Sequence, residues 1–123
     1  MKGNTLNAAY WTATILFAGW LLIDGALGVM HDATGAAIIV HLGYPLYVLT
    51  ITGIAKILAA FAILQTYWRT LKEWAFAGYA IDCIGASASH FFGGDSIWWI
   101  LFPLVFLALM CIPYWLWKKV SVT

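Results

Sequence analysis

Charge is what this sequence has least of: Asp, Glu, Lys and Arg make up 9% of its 123 residues, against 64% hydrophobic. A soluble globular domain carries about 25% charged residues, so a soluble domain is excluded. The few bases exclude nucleic acid as a partner, because they flank apolar stretches and do not form the basic stripe that phosphate contacts require. Cysteine is equally scarce. Cys83 and Cys111 each lie inside an apolar stretch with no Cys-x-x-Cys spacing, which removes a thiol redox centre and leaves two small hydrophobes. No haem, flavin or iron-sulfur motif is present, so no intrinsic cofactor is expected. His31, His41 and His90 lack the spacing of a zinc site, so no metal is expected either.

Long apolar runs are what the chain has instead, with a mean hydropathy of +0.91. A membrane-spanning helix takes about 20 apolar residues. The runs predict one domain over residues 1–123 with four spans, at 8–30, 46–68, 74–92 and 97–117. The fold class is therefore all-α, an integral membrane four-helix bundle in the lipid bilayer. The links at 65–73 and 92–96 are short, the second holding Gly93, Gly94 and Asp95, and short links favour antiparallel neighbours. Residues 31–44 are too polar and too short to cross and are expected to lie along the interface. The first run exceeds a signal-peptide core of about 7–15 residues, so it is read as a retained helix.

Orientation follows from the bases. Lys2, Arg69, Lys72, Lys118 and Lys119 fall on one side of these four spans, and the opposite links contain no Lys or Arg. The positive-inside rule puts that side, with both the N and C termini, in the cytoplasm. Aromatic belts agree: Tyr10, Trp11, Tyr67, Trp68, Trp74, Trp115 and Trp117 inside, Tyr44, Tyr47, Trp98 and Trp99 outside.

The chemistry rests on ionisable groups within the runs. A rise of about 1.5 Å per residue places Lys56 and Asp82 level with each other near mid-membrane. Asp24 lies nearer the outer end, as does His90. A charge at the bilayer centre costs about 2.5–3.5 kcal/mol on insertion scales, so these groups are expected to face inward and pair. Lys56 is expected to pair with Asp82, Asp24 or both. Helical spacing gives each a common face: Asp24, Gly28 and His31; Gly53, Lys56 and Ala60; Asp82, Ala86, Ser89 and Gly93. An ion pair that only fixes register is the plain reading. Three ionisable residues in three of the four spans favour a functional pocket. The fourth run carries only Pro103 and Pro113 among large apolar residues, and a bend at Pro103 is the expected lateral entry.

These residues carry a resemblance. Tyr44-Pro45-x-Tyr47, Gly53 with Lys56, Glu73-Trp74-Ala75-x-Ala77-Gly78, Asp82, Gly85-Ala86, Ser89-His90 and Gly94-Asp95 occur in order through the middle half of the chain. The series resembles the DoxX-like family of small four-helix membrane proteins. The resemblance implies Lys56, Asp82, Ser89 and His90 as pocket residues without assigned roles, while Asp24 rests on depth alone. Some relatives are linked to membrane sulfur and quinone redox chemistry, others to assembly of membrane proteins. The expected location is a bacterial inner membrane.

The leading expectation is a pocket for a lipophilic small molecule, a quinone or an isoprenoid, in an accessory or subunit of a membrane redox system. In it Lys56 donates to a ligand oxygen, Asp82 sets the lysine's charge, His90 relays a proton outward and Trp20 forms a wall. The alternatives are an assembly factor for a membrane-protein partner, for which the Gly- and Ala-rich third run is suited, and proton or ion translocation along Asp24, Lys56 and Asp82. A bundle this small is also open to homo-oligomerisation. The residues name pocket positions, not a catalytic role.

Overall fold

A computed structural model describes residues 2–122. The side chain of Lys2, one of the bases used for orientation, lies outside what is described. Five helices follow in order: α1 (Lys2–Val29), α2 (Ala33–His41), α3 (Tyr47–Leu64), α4 (Arg69–Phe92) and α5 (Ile97–Val122). No strand occurs among the described residues. The fifth helix beyond the expected four is α2, nine residues long, within the segment expected along the interface. Asp32 starts it, its carboxylate accepting from the Gly35 backbone N–H at 3.1 Å, the usual way an N-cap satisfies a first-turn donor.

Among the described residues three helices are long and apolar enough to cross a membrane: Gly3–Val29, Tyr47–Leu64 and Ile97–Val120. Their exposed surface is apolar, with Leu16, Ile51, Leu58, Trp98, Phe102 and Val105 all pointing outward. This is the surface of an integral membrane protein. The helix over the expected third span, α4, is also long enough, about 36 Å for its 24 residues at about 1.5 Å each. It falls short on polarity, since Arg69, Lys72, Glu73, Asp82 and His90 all lie on it.

The ends of the expected second and third spans also move. α3 stops at Leu64 because the Gln65 side chain turns the chain outward. Its Oε1 accepts from the Tyr67 and Trp68 backbone N–H groups, both at 2.8 Å, and its Nε2 donates to Ala62 O and Trp68 O, both at 2.9 Å. α4 then begins at Arg69, so Lys72 is a helix residue and not a loop residue, 3% exposed.

Helix neighbours are antiparallel: α1 packs on α3 and α5, and α4 packs on α3 and α5. The core is aromatic and sits toward the basic end. Phe17, Phe76, Tyr79, Tyr114 and Trp117 meet there edge to face or stacked, at centroid distances of 5.2–6.4 Å. On α4 the buried stripe is Lys72, Phe76, Tyr79, Cys83, Ser87 and His90, at the spacing of one helical face. The stripe expected to face inward, Asp82, Ala86, Ser89 and Gly93, runs beside it: the first three are half-buried and Gly93 is exposed.

At the opposite end α1 and α3 approach through glycines. A Cβ on Gly25 would lie 2.6 Å from Gly53 O, a Cβ on Gly53 would lie 2.6 Å from Gly25 O, and one on Gly28 would lie 3.1 Å from Leu49 O. Small residues permit such close backbone approach, and here it sets the place of the neighbouring charged residues.

Candidate functional site

Asp24 immediately precedes Gly25, and Lys56 lies one turn beyond Gly53, so the glycine crossing brings the two side chains together. Lys56 Nζ donates to Asp24 Oδ2 at 2.7 Å, and the Asp82 carboxylate of α4 stands 3.9 Å from the same nitrogen. The lysine therefore faces both candidate partners and makes its hydrogen bond with Asp24. One ammonium against two carboxylates leaves acceptor oxygens unfilled, and the ammonium has further protons to donate. All three side chains keep 22–39% of their surface open. The cluster borders open space and is not sealed in the core.

Lys56 and Thr52 line two recesses. The larger, about 530 Å³, runs between α3 and α4; Ala55, Leu58, Ala59, Trp74, Gly78 and Tyr79 are among its walls, and Asp82 with Lys56 forms its charged end. The smaller, about 200 Å³, lies between α1, α2 and α3, with Asp24, Asp32 and Thr34 on its walls. The larger recess opens between α3 and α4, where small residues leave space. Pro103, the expected entry, is buried within a continuous α5, and a further recess of about 360 Å³ lies beside it between α4 and α5, with Ile84, Ser87, Phe91, Ile100 and Leu104 on its walls.

The other expected pocket residues lie elsewhere. Trp20 lines neither recess; its indole stacks on Phe106 of α5, centroids 4.9 Å apart with planes 8° from parallel. Ser89 accepts from Tyr44 Oη at 2.8 Å, its own proton going to Gly85 O at 2.8 Å. His90 is 7% exposed, stacks on Trp99 and donates from Nδ1 to Asp95 Oδ2 at 2.7 Å. His41 of α2 donates from Nε2 to the other Asp95 oxygen at 2.6 Å. Asp95 therefore ties α2 to the α4–α5 turn. The bonds from His90 first, then from His41, hold its carboxyl below the ordinary carboxylate value, because hydrogen bonds to the charged form favour it. His31 bonds Thr50 at 2.7 Å.

The sequence puts Asp95 in a turn, Tyr44 in an aromatic belt and both in the series that resembles the family, without a bonding partner for either. The five-residue spacing of His90 and Asp95 was the one local signal for the first. His41 and Asp95 are 54 residues apart, and only the folded chain joins them.

No curated protein and no solved structure matches the chain. The model of the DoxX-like family matches residues 12–112, from within α1 to within α5 and across every residue of the site, and the chain belongs to that family.

Proposed function

We propose that the α3–α4 groove binds a lipophilic small molecule with an oxygen-bearing head, of the quinone or isoprenoid class, and that the protein is an accessory or subunit of a membrane redox system. The carrying observation is the groove's polarity gradient: apolar walls of Ala, Leu, Gly and aromatic residues ending on Lys56 and Asp82. Ligand pockets are mostly apolar with a few placed polar groups that fix orientation. In this reading the tail lies along Leu58, Ala59 and Trp74, and the head oxygen accepts from Lys56 Nζ, whose third direction Asp24 and Asp82 leave open. With no haem, flavin or iron-sulfur motif in the sequence, electrons in this reading reach a bound quinone from a partner protein.

The reading takes all four long helices as membrane-spanning, α4 included, because its Asp82 faces the Lys56 ammonium at 3.9 Å and its remaining charges lie in its first turns. Arg69, Lys72, Lys118 and Lys119 gather at the end where α4 begins and α5 closes, and the positive-inside rule makes that end cytoplasmic. The membrane is then a bacterial inner membrane.

Native mass spectrometry of the detergent-purified chain with a short-tailed quinone tests the proposal. One quinone per chain, lost in Lys56→Met, is the expected result. Equal retention by both proteins sinks it.

One observation favours the assembly-factor reading: Gly78 and Gly85, seven residues apart on α4, would meet nothing within 4 Å if each gained a Cβ. That face of α4 has room for another helix. Photo-crosslinking from position 85 to one defined membrane protein supports it, and capture of lipid alone counts against it.

A further inference from the structure

Of the two bases in α4's first turn, Arg69 is exposed and Lys72 is not. Lys72 is 3% exposed, its ammonium bonded to the Tyr10 hydroxyl and held 5.1 Å from the ring centres of Tyr10 and Trp117. The Arg69 guanidinium lies 5.5 Å from the same Trp117 ring. Among the described residues neither cation has a carboxylate within ion-pairing distance. The neighbouring Glu73 is already taken by Lys118 and by the Tyr114 hydroxyl.

Both cations line a recess of about 240 Å³ whose remaining polar walls are Asn7, Gln65 and Thr66. The recess lies at the start of α4, and Trp68, its N-cap, provides no side-chain cap. First-turn N–H groups there lack intrahelical partners, and the helix dipole adds positive potential. Two cations, one of them buried, at the positive end of an uncapped helix are a charge arrangement that ring faces offset only in part. A bound anion completes it, and a tetrahedral oxyanion suits the donors: a planar guanidinium, an ammonium with protons to spare and amides.

We propose that the Arg69/Lys72 recess is a binding site for a phosphate group. A phospholipid headgroup or free phosphate supplies that chemistry. The surrounding Trp11, Trp68 and Tyr10 give the site the aromatic setting of a membrane interface, where juxtamembrane bases meet anionic lipid. It shares no lining residue with the α3–α4 groove, whose charged end at Asp82 is ten residues from Lys72 on α4, about 15 Å along the helix.

The test is native mass spectrometry of the full chain in detergent, offered phosphatidylglycerol and diacylglycerol with the same acyl chains in equal amounts. A parallel arm titrates inorganic phosphate into delipidated protein by calorimetry. Retention of one phosphatidylglycerol per chain, roughly tenfold over diacylglycerol and lost roughly tenfold in Arg69→Gln, is expected for one charge-assisted contact. Lys72→Gln is the stronger variant, but its buried position puts folding at stake, so the exposed Arg69 decides. Arg69-dependent phosphate binding without lipid preference assigns the same site to free phosphate. Equal retention of the two lipids with no phosphate binding overturns the proposal, as does phosphatidylglycerol retention undiminished in Arg69→Gln.

Discussion

Gly25 and Gly53 each stand where a side chain of the other would meet backbone: a Cβ on either lies 2.6 Å from the other's carbonyl oxygen. A backbone oxygen cannot swing aside as a side chain does, so α1 and α3 are held at a separation that only glycine permits at this level. The adjacent Asp24 and Lys56 owe their 2.7 Å contact to that crossing.

Gly25→Ala is therefore expected to push the helices apart and to destabilise the protein by about 1–3 kcal/mol, the usual cost of overpacking. Gly19→Ala on the same helix meets nothing within 4 Å and is expected to change stability by under about 0.5 kcal/mol. Unfolding in mixed detergent micelles measures both. Equal stability of the two variants would show that the crossing is looser than described.

The two carboxylates around Lys56 are not equivalent. Asp24 accepts a hydrogen bond, whereas Asp82 stands at 3.9 Å without one. Asp24→Asn is expected to cost about 1.5–3 kcal/mol, the range of a bond to a charged group. Asp82→Asn is expected to cost under about 1 kcal/mol, as a partly open ion pair does. The same unfolding titration ranks them, and the reverse order would mean that Asp82 is the lysine's main partner. A quinone-binding role predicts the opposite weighting for ligand retention, because Asp82 lines the groove and Asp24 does not.

At the end of the bundle away from the basic residues, Asp95 joins His41 and His90. Its depressed carboxyl contributes stability that is present above the unfolded value of about 3.9 and lost as pH falls through the lower folded value. Attachment of α2 should therefore persist down to about pH 4 and fail below it. Hydrogen exchange of the α2 amides across pH reads this directly, and Asp95→Asn is expected to raise their exchange already at neutral pH. Exchange that stays unchanged well below pH 4 would show that the Asp95 carboxylate does not hold α2 in place.

Some of this was legible in the sequence and some was not, for physical reasons. Helical rise turns sequence position into depth and so puts Lys56 and Asp82 level. Asp24, expected nearer the outer end, makes the lysine's hydrogen bond because the Gly25–Gly53 crossing brings it in. The helix α2 starts at the N-cap Asp32, but its short length and mixed polarity left its segment read only as interfacial. Lys72 read as a topology base; its burial depends on Tyr10 of α1 and Trp117 of α5, which no local pattern joins to it. Trp20 was placed on a pocket wall because aromatic residues close pockets. Phe106 claims it instead, through a stacking contact between helices far apart in sequence.

Thr14 offers a last check on the packing of α1. It is wholly buried, and its Oγ1 makes no hydrogen bond among the described residues. An unmet buried hydroxyl carries its desolvation cost with no compensating bond, and replacing it by an apolar group of the same shape removes that cost. Thr14→Val is thus expected to leave the protein as stable or to stabilise it by about 1 kcal/mol, whereas Thr14→Ala leaves a void and destabilises it. If Val destabilises as much as Ala does, the hydroxyl has a partner in the membrane-embedded protein, and the interior of α1 is wetter than its packing indicates.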